Sequence, residues 1–240
     1  MNIIGRKEEQ RILMDCLESN RPEFLVVYGR RRVGKTFLIK EFFDQRFSFY
    51  ATGVNGTGMA GQLEYFNESL LEYGCTLETP PKTWREAFVR LKSLLQKNDV
   101  VRDPVSGKRI VFLDELPWMD TPRSEFKTAL DYFWNSWASS QSDLMLIVCG
   151  SATSWIIGNI LSDKGGFYNR ITRKIHLMPF SLKECEEFCG ANGIQMDRQE
   201  IIRSYMIFGG IPYYLGLLSR RMSLAQNVEL IIKCTFFVKN

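Results

Sequence analysis

Residues 29–36 read Gly-Arg-Arg-Arg-Val-Gly-Lys-Thr, the spacing G-x-x-x-x-G-K-[ST] of a loop that wraps phosphate. No other feature restricts the fold as much, because such a loop works only between the end of a buried strand and the start of a helix. Both flanks are present: the apolar run FLVVY at 24–28 precedes it and the amphipathic KTFLIKEFF follows. Glycine at positions 29 and 34 permits backbone conformations that aim successive N–H groups inward, and a helix starting near Lys35 adds its positive dipole end. Gly29, Arg32, Val33, Gly34, Lys35, Thr36 and Phe37 are the expected phosphate-binding set, with Lys35 bridging the β- and γ-phosphates and the Thr36 hydroxyl on Mg²⁺. Since phosphate meets main-chain amides in such a loop, the side chains of Arg30, Arg31 and Arg32 are left to point outward. They form either a solvated or ion-paired rim, or a contact to a partner subunit, a nucleic acid or the C-terminal helices.

Further apolar runs at 47–51, 109–114, 144–149 and 172–177 alternate with helical spacing at 6–18, 35–43, 60–73, 84–96, 124–138 and 152–160. This is the pattern of an α/β domain with a parallel sheet, and the near-continuous hydrophobicity implies strands covered on both faces. After Pro179 only helical spacing remains, at 181–189, 197–208, 211–219 and 223–233. The reading is an α/β core over 1–179 and a helical lid over 180–240. In FGGIPYYL (208–215) the glycine pair ends one helix and Pro212 opens the next. The uncharged stretch 144–161 could just span a bilayer, but GSATS at its centre is polar and turn-forming. It reads as a buried strand, a turn and a helix start.

The segment RIVFLDELPWMD puts Asp114 and Glu115 at the C-terminal end of a predicted strand, where α/β sheets bind ligands. Paired with the phosphate loop, Asp114 is expected to hold the Mg²⁺ shell and Glu115 to polarise the attacking water. The strand LMLIVCGS delivers Ser151, which either senses the γ-phosphate or caps a helix, a role open to Thr153 as well. Arg170 stands just before the last strand and Arg173 at its start, and each is either a finger on the γ-phosphate charge or a surface cation. His176 sits within a strand pattern and reads as structural.

Composition narrows the class further. The 31 basic and 27 acidic residues are mixed along the chain, for a formal charge of +4, which permits a nucleic-acid partner without indicating one. Six cysteines without C-x-x-C spacing and a single histidine argue against a zinc site and for reduced thiols. The start, MNIIGRKEEQR, is charged where a signal peptide needs its apolar core, so the expectation is a cytoplasmic protein with no membrane segment. The closing run ELIIKCTFFVKN is either the cut end of a longer protein or a natural end docked on the lid.

Taken in order, the segments IIGRKEEQRIL, GRRRVGKT, IVFLDELPW, CGS, FYNRIT and GGIPYYL resemble the AAA+/STAND-like prokaryotic ATPases often called the archaeal ATPase family. The resemblance spans nearly the whole chain. It implies a P-loop NTPase of the AAA+/ASCE type, an α/β fold whose five-stranded parallel sheet core places the sensor strand between the loop strand and the acidic strand, with a C-terminal helical lid. It implies ATP/ADP and Mg²⁺ as cofactors, and adenine contacts from Ile4-Gly5-Arg6 and Gly210-Ile211-Pro212. By the same resemblance Lys35 and Thr36 bind phosphates and Mg²⁺, Asp114 and Glu115 serve metal and water, and Ser151 is the first sensor. Where relatives have Gly-Pro-Leu-Tyr-Gly-Arg, this chain has GGFYNR at 165–170. Asn169 can take a left-handed conformation there, but the placement of Arg170 is left open. Many relatives continue into a winged-helix region and a nuclease-like domain, so the partners to expect are nucleotide, a protein partner or a second copy, and nucleic acid through such a region.

Two functions are thus in play. One is a Mg²⁺-dependent ATPase that couples ATP binding and hydrolysis to core–lid movement. The other is a slow or non-hydrolysing nucleotide switch that recruits a protein or DNA partner. A small-molecule phosphotransferase fits the loop alone, with no acceptor pocket legible in the sequence.

Overall fold

A computed structural model describes residues 3–162, 166–167 and 169–236. Gly165 and Tyr168 of the GGFYNR segment and the final four residues lie outside the described residues. By backbone contacts the chain divides into two compact units, one comprising Glu8–Gly29 and Lys35–His176, the other the described parts of Met1–Lys7, Arg30–Gly34 and Leu177–Asn240.

The first unit is built on five strands: β1 (Glu23–Tyr28), β2 (Phe49–Thr52), β3 (Arg109–Asp114), β4 (Leu144–Gly150) and β5 (Arg173–His176). Every pairing is parallel and the order is β2-β3-β4-β1-β5. The strand carrying Ser151 therefore lies between the loop strand and the acidic strand, as the resemblance implies. Every residue of β3 and β4 is buried, which is why their sequences run apolar without alternation. The short edge strand β5 alternates instead.

Helices α1 (Lys7–Glu18), α2 (Lys35–Phe42), α3 (Met59–Glu72), α4 (Trp84–Leu95), α5 (Leu116–Met119), α6 (Phe126–Ser136) and α7 (Thr153–Ile156) flank the sheet. One face is filled by aromatic residues at helical spacing: Trp84 of α4 meets Phe126 edge-on at 4.7 Å, and Trp134 of α6 lies 4.8 Å from Phe24 of β1. Thr83 caps α4 by accepting from the Glu86 N–H at 3.2 Å, the expected geometry for such a cap. The stretch 144–161 is β4, a turn, the single turn α7 and a π-helical turn at Ile157–Leu161. Among the described residues no helix is long and apolar enough to cross a membrane.

The second unit contains α8 (Leu182–Ala191), α9 (Arg198–Phe208), α10 (Pro212–Leu215) and α11 (Leu224–Phe236). Its core is Phe180, Cys185, Cys189, Ile194, Ile201, Phe208, Leu215, Leu218 and Ile231. Ser181 with Glu184 and Asp197 with Glu200 form capping boxes at the starts of α8 and α9, each satisfying two N–H groups that a helix start leaves unpaired. Left-handed Gly209 closes α9 and Pro212 opens α10, as the glycine pair and proline predict. The helix expected over 211–219 is shorter in the structure, since α10 stops at Leu215.

Residues 3–7 and 30–34 join this unit through Arg6. Its buried guanidinium donates to Met178 O at 2.7 Å and Val33 O at 3.2 Å and lies 4.5 Å over the Phe180 ring. Its own N–H donates to Glu184 Oε1 at 3.0 Å.

Candidate active site

The loop after β1 bends as its glycines require, with φ of 146° at Gly29 and 92° at Gly34, but the third left-handed position is Arg32, at 69°. Lys35, buried at the start of α2, donates from Nζ to Gly29 O at 2.9 Å. The next residue reaches across to the acidic strand: Thr36 Oγ1 donates to Asp114 Oδ2 at 2.7 Å. The other oxygen of Asp114 accepts from the Glu115 N–H at 2.9 Å, so the carboxylate is fixed at both ends. Its charge is felt by its neighbours. Burial, then Asp114, pushes the Cys149 thiol of β4 well above its ordinary value and the Tyr50 hydroxyl of β2 up to about 12.

Glu115 leaves the strand in a left-handed conformation, φ 46° and ψ 47°, which costs a non-glycine residue about 1–2 kcal/mol. Two hydrogen bonds help offset that cost. Glu115 Oε2 accepts from the Ser151 N–H at 3.2 Å and from the Ser151 hydroxyl at 2.9 Å. Ser151 does not cap the following helix: the capping position of α7 is Ala152, which offers no side-chain bond. The close approach of the two strand ends depends on Gly150, where a Cβ would lie 2.7 Å from Pro117 Cδ.

The remaining expected residues separate. Gly5 (φ 65°), Arg6, Arg32, Val33 and Pro212 belong to the second unit. There Arg32 Nη1 donates to Tyr214 Oη at 2.7 Å, and the guanidinium lies 4.6 Å over the Tyr213 ring and 5.4 Å over that of Tyr214. Phe37 is 47% exposed on α2. Arg170 is exposed on the turn before β5, its N–H donating to Phe167 O at 3.1 Å. Among the described residues its guanidinium has no hydrogen bond or ion pair to Asp114 or Glu115. His176, at the end of β5, stacks on Tyr28 at 4.7 Å with the rings parallel to within 1°. The partners that sequence reasoning missed are Tyr213 and Tyr214 for Arg32, and Pro117 against Gly150. The tyrosines were visible directly after Pro212, but nothing in their spacing pointed to a residue 182 positions earlier.

A five-stranded parallel sheet with a phosphate loop after β1, acidic residues at the end of β3 and the serine strand between them defines the class, a P-loop ATPase fold. The chain belongs to the family described as an ATPase domain predominantly from Archaea, whose model matches residues 4–218. It is 29% identical over 216 residues to an uncharacterized protein of Methanocaldococcus jannaschii, with 88% of this chain and 43% of that protein covered. The chain thus spans less than half the length of that relative. Its fold is similar to the Walker-type ATPase of Pyrococcus abyssi, with TM-score 0.67, 20% identity, and 97% of this chain and 72% of that chain covered. It is also similar to the ORC2 protein of Aeropyrum pernix, solved as ADPNP–ADP complexes, with TM-score 0.62, 15% identity, and 89% and 61% covered.

Proposed function

We propose that the chain binds Mg·ATP and hydrolyses it to ADP and phosphate, and that Lys35, Thr36, Asp114, Glu115 and Ser151 are the residues that do so. The carrying observation is the linked pair of contacts at the C-terminal strand ends, Thr36 to Asp114 at 2.7 Å and Ser151 to Glu115 at 2.9 Å. Thr36 Oγ1 and Asp114 Oδ2 are hard oxygen donors, the kind Mg²⁺ takes, and their contact suits them to share one ion's shell. When bound, that ion neutralises charge on the β- and γ-phosphates. Lys35 exchanges Gly29 O for the phosphate oxygens, and the loop amides align the triphosphate in line with the attacking water. Glu115 takes the proton from the attacking water as the water oxygen bonds the γ-phosphorus and the bond from that phosphorus to the ADP oxygen breaks. Ser151 holds Glu115 in place and registers whether the γ-phosphate is present. Arg170, from this chain or a neighbour, stabilises the departing charge, while the segments around Gly5-Arg6 and Pro212 frame the adenine. The ADPNP–ADP complexes of the Aeropyrum pernix protein support an adenine nucleotide as the ligand.

On this reading residues 1–179 act as the core and 180–240 as a lid whose two-state hinge is biased by nucleotide. The expected setting is cytoplasmic. A protein partner, a second copy, or nucleic acid engaged through a further region receives the output. The second reading, a switch that barely turns over, is favoured by the two Ser151 donors that occupy Glu115. It predicts purified protein that retains ADP and hydrolyses only when a partner is added.

The test is uptake and turnover of Mg·ATP by the wild type, Lys35→Ala and Glu115→Gln. Lys35→Ala should lose nucleotide binding, while Glu115→Gln should bind ATP and turn over at least about 100-fold more slowly. Wild-type turnover by Glu115→Gln overturns the mechanism.

A further inference from the structure

We infer that Arg32 is a positioning residue of the phosphate loop, and that Tyr213 and Tyr214 are the surface that holds it. The inference rests on reading residues 29–36 as the nucleotide's phosphate loop. Two of the three left-handed positions in that loop are glycines, which adopt the conformation freely; the third, Arg32 at φ 69°, is not. An L-residue stays there only when surrounding contacts outweigh the conformational cost. Three such contacts are present: the 2.7 Å hydrogen bond to Tyr214 and the two ring faces at 4.6 and 5.4 Å.

The surface is itself braced. The two tyrosine rings meet edge-on at 5.4 Å, Tyr214 stacks at 6.1 Å on Phe208, and Phe208 and the neighbouring Leu215 are core residues of the second unit. The next loop residue is tied as well, since Val33 O accepts from Arg6. Two consecutive loop residues are therefore held from the side of the C-terminal helices, one by its side chain and one by its carbonyl. The direction of their amides follows from that grip. Lysine cannot replace arginine here, because the contact uses a planar cation that stacks and donates at once. Arg32 thus acts on nucleotide through its backbone, while its side chain serves the tyrosines.

The experiment compares wild type with Arg32→Ala, Arg32→Gly, Arg32→Lys, Tyr214→Phe and the Arg32→Ala/Tyr214→Phe double variant. The readouts are ADP affinity by calorimetry, kcat at saturating Mg·ATP, and amide exchange over residues 212–218 without nucleotide. Tyr214→Phe, which removes only the hydroxyl, should weaken ADP about 5-fold and Arg32→Ala about 20-fold, with kcat at saturation within about twofold of wild type. The double variant should be no weaker than Arg32→Ala, and neither lysine nor glycine at position 32 should restore affinity. Multiplying single effects, or full rescue by glycine, overturns the inference. If the wild type takes up no nucleotide, the proposed function fails and exchange decides alone whether the tyrosine surface holds Arg32. Faster exchange over 212–218 in both Arg32→Ala and Tyr214→Phe upholds it, and unchanged exchange overturns it.

Discussion

Asp114 and Glu115 are adjacent in sequence, yet the backbone turns between them from extended to left-handed. That turn sends the first carboxylate to Thr36 and the second to Ser151. Neighbouring carboxylates thereby acquire separate partners instead of competing for one. The Ser151 hydroxyl is the hinge pin of the second contact. Ser151→Ala keeps the N–H donor and loses the hydroxyl, so kcat should fall about tenfold with ADP affinity unchanged. Steady-state kinetics beside a binding titration checks that division; an affinity loss with constant kcat contradicts it.

Among the elements, the C-terminal end of β4 is closely packed against the start of α5. Gly150→Ala drives a methyl into Pro117 and should destabilise the fold by about 1–3 kcal/mol, read as a lower urea midpoint. At the start of α8, burial raises the Glu184 pKa, but hydrogen bonds from the Arg6 and Ser181 N–H groups and the Ser181 hydroxyl outweigh it and hold the carboxyl below 4.5. A carboxylate depressed in the folded state contributes stability above its unfolded pKa and loses it as pH falls through the folded one. The Tm advantage of wild type over Glu184→Gln should therefore be full above about pH 5 and shrink steadily below it. A gap independent of pH would show that Glu184 contributes by packing instead.

For the whole molecule, nucleotide binding is also a stability measurement. If the folded chain alone binds Mg·ADP, ligand at 100 times Kd adds about 2.7 kcal/mol, a rise in Tm of about 5–10 °C at this size. Thermal denaturation with and without Mg·ADP reads that rise, and Lys35→Ala should show none.

The sequence by itself determined the architecture. Runs rich in apolar residues marked all five strands, with ends within two residues of those in the structure, although only β3 and β4 are buried along their whole length. The phosphate-loop spacing marked the loop, and the glycine pair with Pro212 marked the joint between α9 and α10. Of the four-residue helices, α5 carried no helical signal, while α7 and α10 were expected within longer spans, 152–160 and 211–219, because one turn is too short to carry a hydrophobic period of its own. Only the tertiary structure decided which side chains meet. Ser151 bonds Glu115 across 36 residues and Arg32 bonds Tyr214 across 182, separations over which local pattern carries no information. Periodicity records which face of an element is buried, whereas a hydrogen bond depends on where folding brings two distant atoms.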